Sequence, residues 1–155
     1  MSSTRSLVSK SPGAKFEKAE MPLRELTSEM VAIKILYSGI CHSDIHQAKE
    51  EWGPAIFPMV PGHEIAGIVK EVGSSVTKFK PGMKAGVGVF IDSCRKCENC
   101  LAGENQYCLE GMTGTYNGYE RDGKTVAQGG YASAIVVNED YVLHLPENLE
   151  IVWLC

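Results

Sequence analysis

The sequence predicts a mostly β domain, a barrel or sandwich, and three observations predict it. Short runs rich in branched and aromatic residues recur along the chain, Gly and Pro pairs separate them at turn-like spacing, and only one early stretch carries helix signals. At 155 residues, with 44% hydrophobic and 22% charged content, the chain has the size and composition of one ordinary globular domain.

Taken in order, Val31, Ile33, Ile35 and Tyr37 alternate with Ala32, Lys34 and Leu36, the period-2 pattern of a strand with the first set facing a core. Residues 43–51 read as a helix, with Ser43 or Asp44 capping its first turn. Further strands are expected within 64–72, 84–92, 131–138 and 141–145, separated by Gly53-Pro54, Pro61-Gly62, Pro81-Gly82 and Gly129-Gly130. Residues 111–124 are Gly-rich and polar, hence a loop. The only Gly-x-Gly is Gly86-Val87-Gly88, and the third glycine of a dinucleotide fingerprint would fall at Ile91, so no Rossmann domain is expected here.

Lys and Arg number 15 against 19 Asp and Glu, a net charge of −4. Without a concentrated positive face, nucleic acid is not an expected partner. The first twenty positions lack the roughly 7–15-residue apolar stretch of a secretory signal. No apolar run reaches the length of about 18 residues that a membrane span requires. The expectation is therefore no membrane partner, a cytoplasmic location and a small molecule or a protein as ligand.

Six cysteines in a reducing compartment point to metal or redox chemistry rather than disulfides. Cys94, Cys97, Cys100 and Cys108 lie within 15 residues, a spacing that lets four thiolates surround one tetrahedral zinc ion at roughly 2.3 Å each. Such a site is closed, hence structural. A second constellation runs through Gly39-Ile40-Cys41-His42-Ser43-Asp44-Ile45-His46 and Pro61-Gly62-His63-Glu64-Ile65-Ala66-Gly67. Cys41 and His63 supply two of the three protein ligands of an open, catalytic zinc, and each has a carboxylate nearby. Trp52 reads as a partly buried packing residue beside this region, and His144 as a residue on a solvated strand face.

At these residues the sequence resembles the zinc-dependent medium-chain alcohol dehydrogenases, within them the cinnamyl alcohol dehydrogenase-like branch. Gly62-His63-Glu64-x2-Gly67-x5-Gly73-x2-Val76 is similar to that family's signature throughout its length. The Cys41 motif, the four-cysteine lobe, Met112-Thr113-Gly114-Thr115-Tyr116-Asn117 and Gln128-Gly129-Gly130-Tyr131-Ala132 look like the same branch. The resemblance implies a GroES-like catalytic domain over residues 1–149, with a structural zinc lobe at 94–108, followed by an atypical, truncated C-terminus at 150–155.

It also implies roles. Cys41 and His63 would ligate a catalytic zinc, Glu64 would help exchange its open position, and Asp44 would orient the His63 imidazole. Ser43 would take the substrate's hydroxyl proton and His46 would pass it to solvent through the cofactor ribose. His42 would contact the cofactor pyrophosphate. Cys155 is the candidate third ligand, although residues 150–155 replace the family's Ala/Pro-rich approach to that position. The implied reaction is oxidation of an alcohol to an aldehyde with NADP, or NAD, as hydride acceptor, the full-length form being a possible homodimer. Two other readings stand beside it: a truncated zinc-binding domain without catalytic activity, and a co-chaperonin-like binding module.

Overall fold

The computed structural model describes residues 3–154, so Cys155 lies outside the described residues. Strands β1 (Ser3–Val8) and β2 (Glu17–Pro22) form an antiparallel hairpin ahead of the main sheet. Strand β3 (Met30–Ser38) is followed by helix α1 (His42–Ala48) and by β4 (Ile65–Val72). Next come β5 (Lys84–Val87) and β6 (Phe90–Asp92), then the short helix α2 (Glu98–Leu101) and β7 (Thr113–Gly114). Strands β8 (Ala134–Asn138) and β9 (Val142–His144) complete a five-stranded antiparallel sheet of order β8-β3-β4-β5-β9.

Val31 and Ile33 of β3, Ile65 and Val69 of β4, Ala85 of β5 and Val137 of β8 meet in one core around Phe79. The expected alternation is kept only in part: Val31, Ala32 and Ile33 are all buried across a register shift between Ala32 and Ile33, Lys34 is exposed, Ile35 is half-buried, and Leu36 and Tyr37 are both exposed. A register shift between Ile35 and Tyr37 inserts an extra residue against β4, so Tyr37 turns outward and is exposed. Bulges of this kind bend a strand and raise its twist. This one lies on the approach to Gly39 and Cys41.

Three further differences have local causes. The single run expected over 84–92 is two strands: β5 pairs in the main sheet, whereas β6 pairs with β7 in a separate ribbon. The chain changes sheet at Gly88-Val89, whose carbonyls accept from the Thr115 hydroxyl and amide. Strand β8 begins at Ala134 rather than Tyr131, because 129–131 bonds across to 60–62 instead of to β3. Strand β1 carried no hydrophobic signal, because two of its three inward residues are hydroxyls. Thr4, Ser6 and Val8 are buried, and Thr4 Oγ1 accepts the Ala134 amide at 3.0 Å.

The helix starts one residue earlier than expected, and its cap is Cys41 rather than Ser43 or Asp44. Asp44 occupies the third helical position, from which its carboxylate accepts the Cys41 amide at 2.9 Å. Trp52 is not a packing residue: it is 61% exposed and stacks on His46. His144 is exposed as expected, with its ring stacked 4.2 Å from buried Phe79. No described helix is long and apolar enough to cross a membrane.

Arg24, in the link between β2 and β3, forks onto Glu120 in the 111–124 loop. Nε donates to Oε1 at 2.8 Å and Nη2 to Oε2 at 2.5 Å, with side chains only 12% and 18% exposed. Removing one partner from such a pair strands the other charge. Glu120→Ala is expected to lower stability by about 3 kcal/mol, whereas replacing Arg24 with Met and Glu120 with Leu together costs far less. Urea midpoints of the three zinc-loaded proteins check this.

Candidate metal centres

The four cysteines expected from their spacing lie together, and so do Cys41, His63 and Glu64, which the family resemblance links. The Sγ of Cys41, a nitrogen of His63 and a carboxylate oxygen of Glu64 lie within 4.8 Å of one another, as do the four sulfurs of Cys94, Cys97, Cys100 and Cys108. Both donor sets suit zinc: mixed thiolate, imidazole and carboxylate in the first, all thiolate in the second.

Two segments carry the first cluster. One is the 39–44 stretch leading into α1, and the other is the 61–64 turn leading into β4. Asp44 joins them. Its carboxylate is only 2% exposed and accepts three hydrogen bonds: the Cys41 amide at 2.9 Å, the Gly62 amide at 2.9 Å and the Tyr131 hydroxyl at 2.9 Å. The expected bond from Asp44 to the His63 imidazole is therefore replaced. Asp44 holds the backbones beside Cys41 and His63 instead, its two oxygens being taken by the Cys41 and Gly62 amides and the Tyr131 hydroxyl.

Two glycines make the approach of these segments possible. Gly62 has φ +101°, in the left-handed region. A Cβ on Gly39 would sit 2.2 Å from Glu64 Oε2, so a side chain there would displace the carboxylate. The Gly39 amide also donates to the Glu64 carbonyl at 2.8 Å.

Ser43 lies beside the cluster, its Oγ accepting from the Cys41 thiol at 3.4 Å. His46 faces another way: its Nδ1 is 2.5 Å from Glu51 Oε2 and its ring stacks on Trp52 at 4.7 Å. The hydrogen bond with His46 holds the Glu51 carboxyl below the usual carboxylate range. His42 is exposed on the same helix, its ring 5.8 Å from that of His46. Among the described residues no hydrogen bond links Ser43 to His46.

Sequence reasoning gave Tyr131 and Glu51 no individual role at this site, and Tyr116 none beyond shaping the cleft. Burial, and then Asp44, push the Tyr131 hydroxyl pKa up, which keeps it a donor. The Tyr116 ring is 5.6 Å from that of His63, and its buried hydroxyl lacks a protein partner. Burial raises its pKa as well. Tyr131 is 87 residues from Asp44, and no local pattern signals that pairing.

In the four-cysteine lobe, backbone amides point at the sulfurs. Cys97 N donates to Cys94 Sγ at 3.3 Å, Cys94 N to Cys108 Sγ at 3.3 Å and Leu109 N to Cys97 Sγ at 3.5 Å. Donation by the Leu109 amide, and then by that of Cys100, lowers the Cys97 thiol to about 6. Arg95, at φ +58°, turns the chain between the first two cysteines and anchors on buried Asp92 at 2.9 Å. Cys97 caps α2, and Cys108 ends the 3₁₀ turn Asn105–Tyr107.

The sequence matches the alcohol dehydrogenase GroES-like domain over residues 27–147. NADP-dependent alcohol dehydrogenase C 1 of Mycolicibacterium smegmatis is 56% identical over 133 residues, which are 85% of this chain and 38% of that protein. Probable cinnamyl alcohol dehydrogenase 3 of Oryza sativa subsp. japonica is 53% identical over 124 residues, 80% of this chain and 33% of that protein. The crystal structure of CAD from Helicobacter pylori complexed with NADP(H) aligns with a TM-score of 0.93 at 40% identity, covering 98% of this chain and 44% of that one. The chain thus spans less than half the length of these relatives.

Because three donors converge on one carboxylate, Asp44→Asn must turn an amide NH2 toward at least one donor. A loss of about 3 kcal/mol is expected, with roughly 1.5 kcal/mol for Tyr131→Phe, at the lower end for a hydrogen bond to a charged group. Denaturation midpoints measure both. In Asp44→Asn the zinc affinity of the Cys41 site should fall while that of the four-cysteine lobe stays unchanged.

Proposed function

The chain belongs to the alcohol dehydrogenase GroES-like family, and from that premise we propose that it is the alcohol-handling domain of a zinc-dependent, NADP-using dehydrogenase of primary alcohols. The observation that carries this reading is the pairing of an open Cys41–His63–Glu64 cluster with a separate, closed four-cysteine cluster. A co-chaperonin-like module has use for neither.

In this reading Cys41 and His63 hold a catalytic zinc, with Cys155 as third ligand, and Glu64 assists exchange at the open position. When bound, zinc supplies a Lewis acid that acidifies the alcohol hydroxyl, and NADP supplies the hydride acceptor. Ser43, beside Cys41, accepts the hydroxyl proton. His46, near the rim of the site and bonded to Glu51, hands it to solvent. His42 offers a contact for a cofactor phosphate. Asp44 and Tyr131 keep the two ligand-bearing segments in register. Buried Tyr116 walls the cleft beside His63.

The substrate class rests on the relatives. The reading of aromatic or medium-length aliphatic alcohols as substrates rests on the relatives named as cinnamyl alcohol dehydrogenases. The cofactor choice rests on the NADP-dependent relatives and on the structural relative solved with NADP(H). A cytoplasmic location is consistent with this family.

Metal analysis of the purified chain should find two zinc ions, falling to one in Cys97→Ser with disorder confined to residues 94–108. Much of the roughly 10–16 kcal/mol of a structural zinc is lost there. Cobalt substitution then tests the open site. Cinnamyl alcohol should shift the visible bands of the Cys41 centre in wild type and not in Cys41→Ser. A spectrum of tetrathiolate cobalt alone, unmoved by alcohol, would support the zinc-binding domain without catalysis instead.

A further inference from the structure

We propose that His42 and His46 form a chelating site for a borderline divalent transition metal on the exposed face of α1, separate from both cysteine clusters. The two residues lie four apart in one helix, which places their side chains on the same face one turn apart. Their ring centroids are 5.8 Å apart with planes inclined at 34°. Histidines at this spacing on a helix are a recognised way to place two imidazoles on one metal ion.

The second observation concerns His46. Its Nδ1 is engaged by Glu51 Oε2 at 2.5 Å, leaving Nε2 as the free nitrogen. Trp52, stacked at 4.7 Å and 26°, covers one face of the ring and limits its rotation. A carboxylate on one ring nitrogen, with the other left as acceptor, is the arrangement that fixes the tautomer and raises the basicity of metal-ligating histidines. Glu51 is held below the usual carboxylate range by this same bond, so it stays an acceptor at neutral pH.

The opposite face of α1 is already committed. Asp44, two residues after His42, is buried and bonded toward the Cys41 and Gly62 backbones. The histidine pair is therefore a separate, solvent-facing site. With two imidazoles and water as its ligands it suits nickel, copper or zinc and discriminates against calcium and magnesium, which take oxygen ligands. An ion held there would occupy both His42 and His46, and so would compete with the cofactor-contact and proton-transfer duties proposed for them.

The test uses the zinc-loaded chain, freed of loosely held ions and with its zinc counted beforehand, so that the state of the cysteine sites is known independently. Nickel(II) is titrated in by calorimetry while a chromophoric indicator follows zinc release. The expected result is one nickel ion per chain with no zinc released. Affinity should fall at least about tenfold in His42→Gln and about tenfold in Glu51→Gln, the latter through loss of the orienting carboxylate. Paramagnetic broadening should be centred on the His42 and His46 ring resonances. Nickel uptake that is unchanged in His42→Gln and His46→Gln, or that is matched by zinc release, overturns the proposal.

Discussion

A single buried carboxylate sets the geometry of the open metal cluster. Asp44 accepts from Cys41, Gly62 and Tyr131, and these donors belong to three segments that are remote in sequence. The backbone that leads into Cys41 and His63 is irregular, without the ladder of hydrogen bonds that a strand would supply. Charge-assisted bonds to one point hold it in place, since a buried carboxylate left short of donors is costly. The sheet contributes a rigid base: β3 leads into Gly39 and Cys41, β4 follows His63 and Glu64, and the two strands are paired. The site is thus a junction between two adjacent strand ends, tied from the side by the 128–131 segment.

Two physical solutions to stability coexist in the chain. Around Phe79 the sheet excludes water in the ordinary way, with branched side chains from β3, β4, β5 and β8 in one cluster. The lobe at 94–108 has no such core: Leu101, Tyr107 and Leu109 are exposed and α2 buries nothing. Its order comes from amide-to-sulfur hydrogen bonds and the convergence of four thiols, an arrangement that metal binding completes. Burial and ligation meet at Ser93, whose hydroxyl pairs with core Tyr141 at 2.6 Å and with Cys100 Sγ at 3.2 Å.

Helix α1 divides its labour by face. Asp44 and Ala48 turn inward, the first to the metal-binding segments and the second to packing. His42 is exposed and His46 half-buried on another side of the helix. Cys41 sits at the boundary as the cap, so the same residue that starts the helix also presents a sulfur to the cluster. This is why one seven-residue helix, too short to be stable alone, carries so many functional groups: its position is fixed by Asp44 rather than by its own propensity.

Much was legible in the sequence because its signals are local. The four cysteines fall within one short loop, so spacing alone brings their sulfurs together, and the branched residues Val31 and Ile33 mark β3 as a core strand. Cys41 and His63 were legible as a pair through residue type and the glycines beside them. What only the tertiary structure decided are the long-range polar pairings: Asp44 with Gly62 across 18 residues and with Tyr131 across 87, and Arg24 with Glu120 across 96. The same holds for β1, whose buried hydroxyls show no hydrophobic period, and for the sheet change at Gly88. Metal-ligand spacing and apolar periodicity are written along the chain. A hydrogen bond between distant segments depends on which buried donors and acceptors the packed fold leaves facing one another, and no local pattern records that.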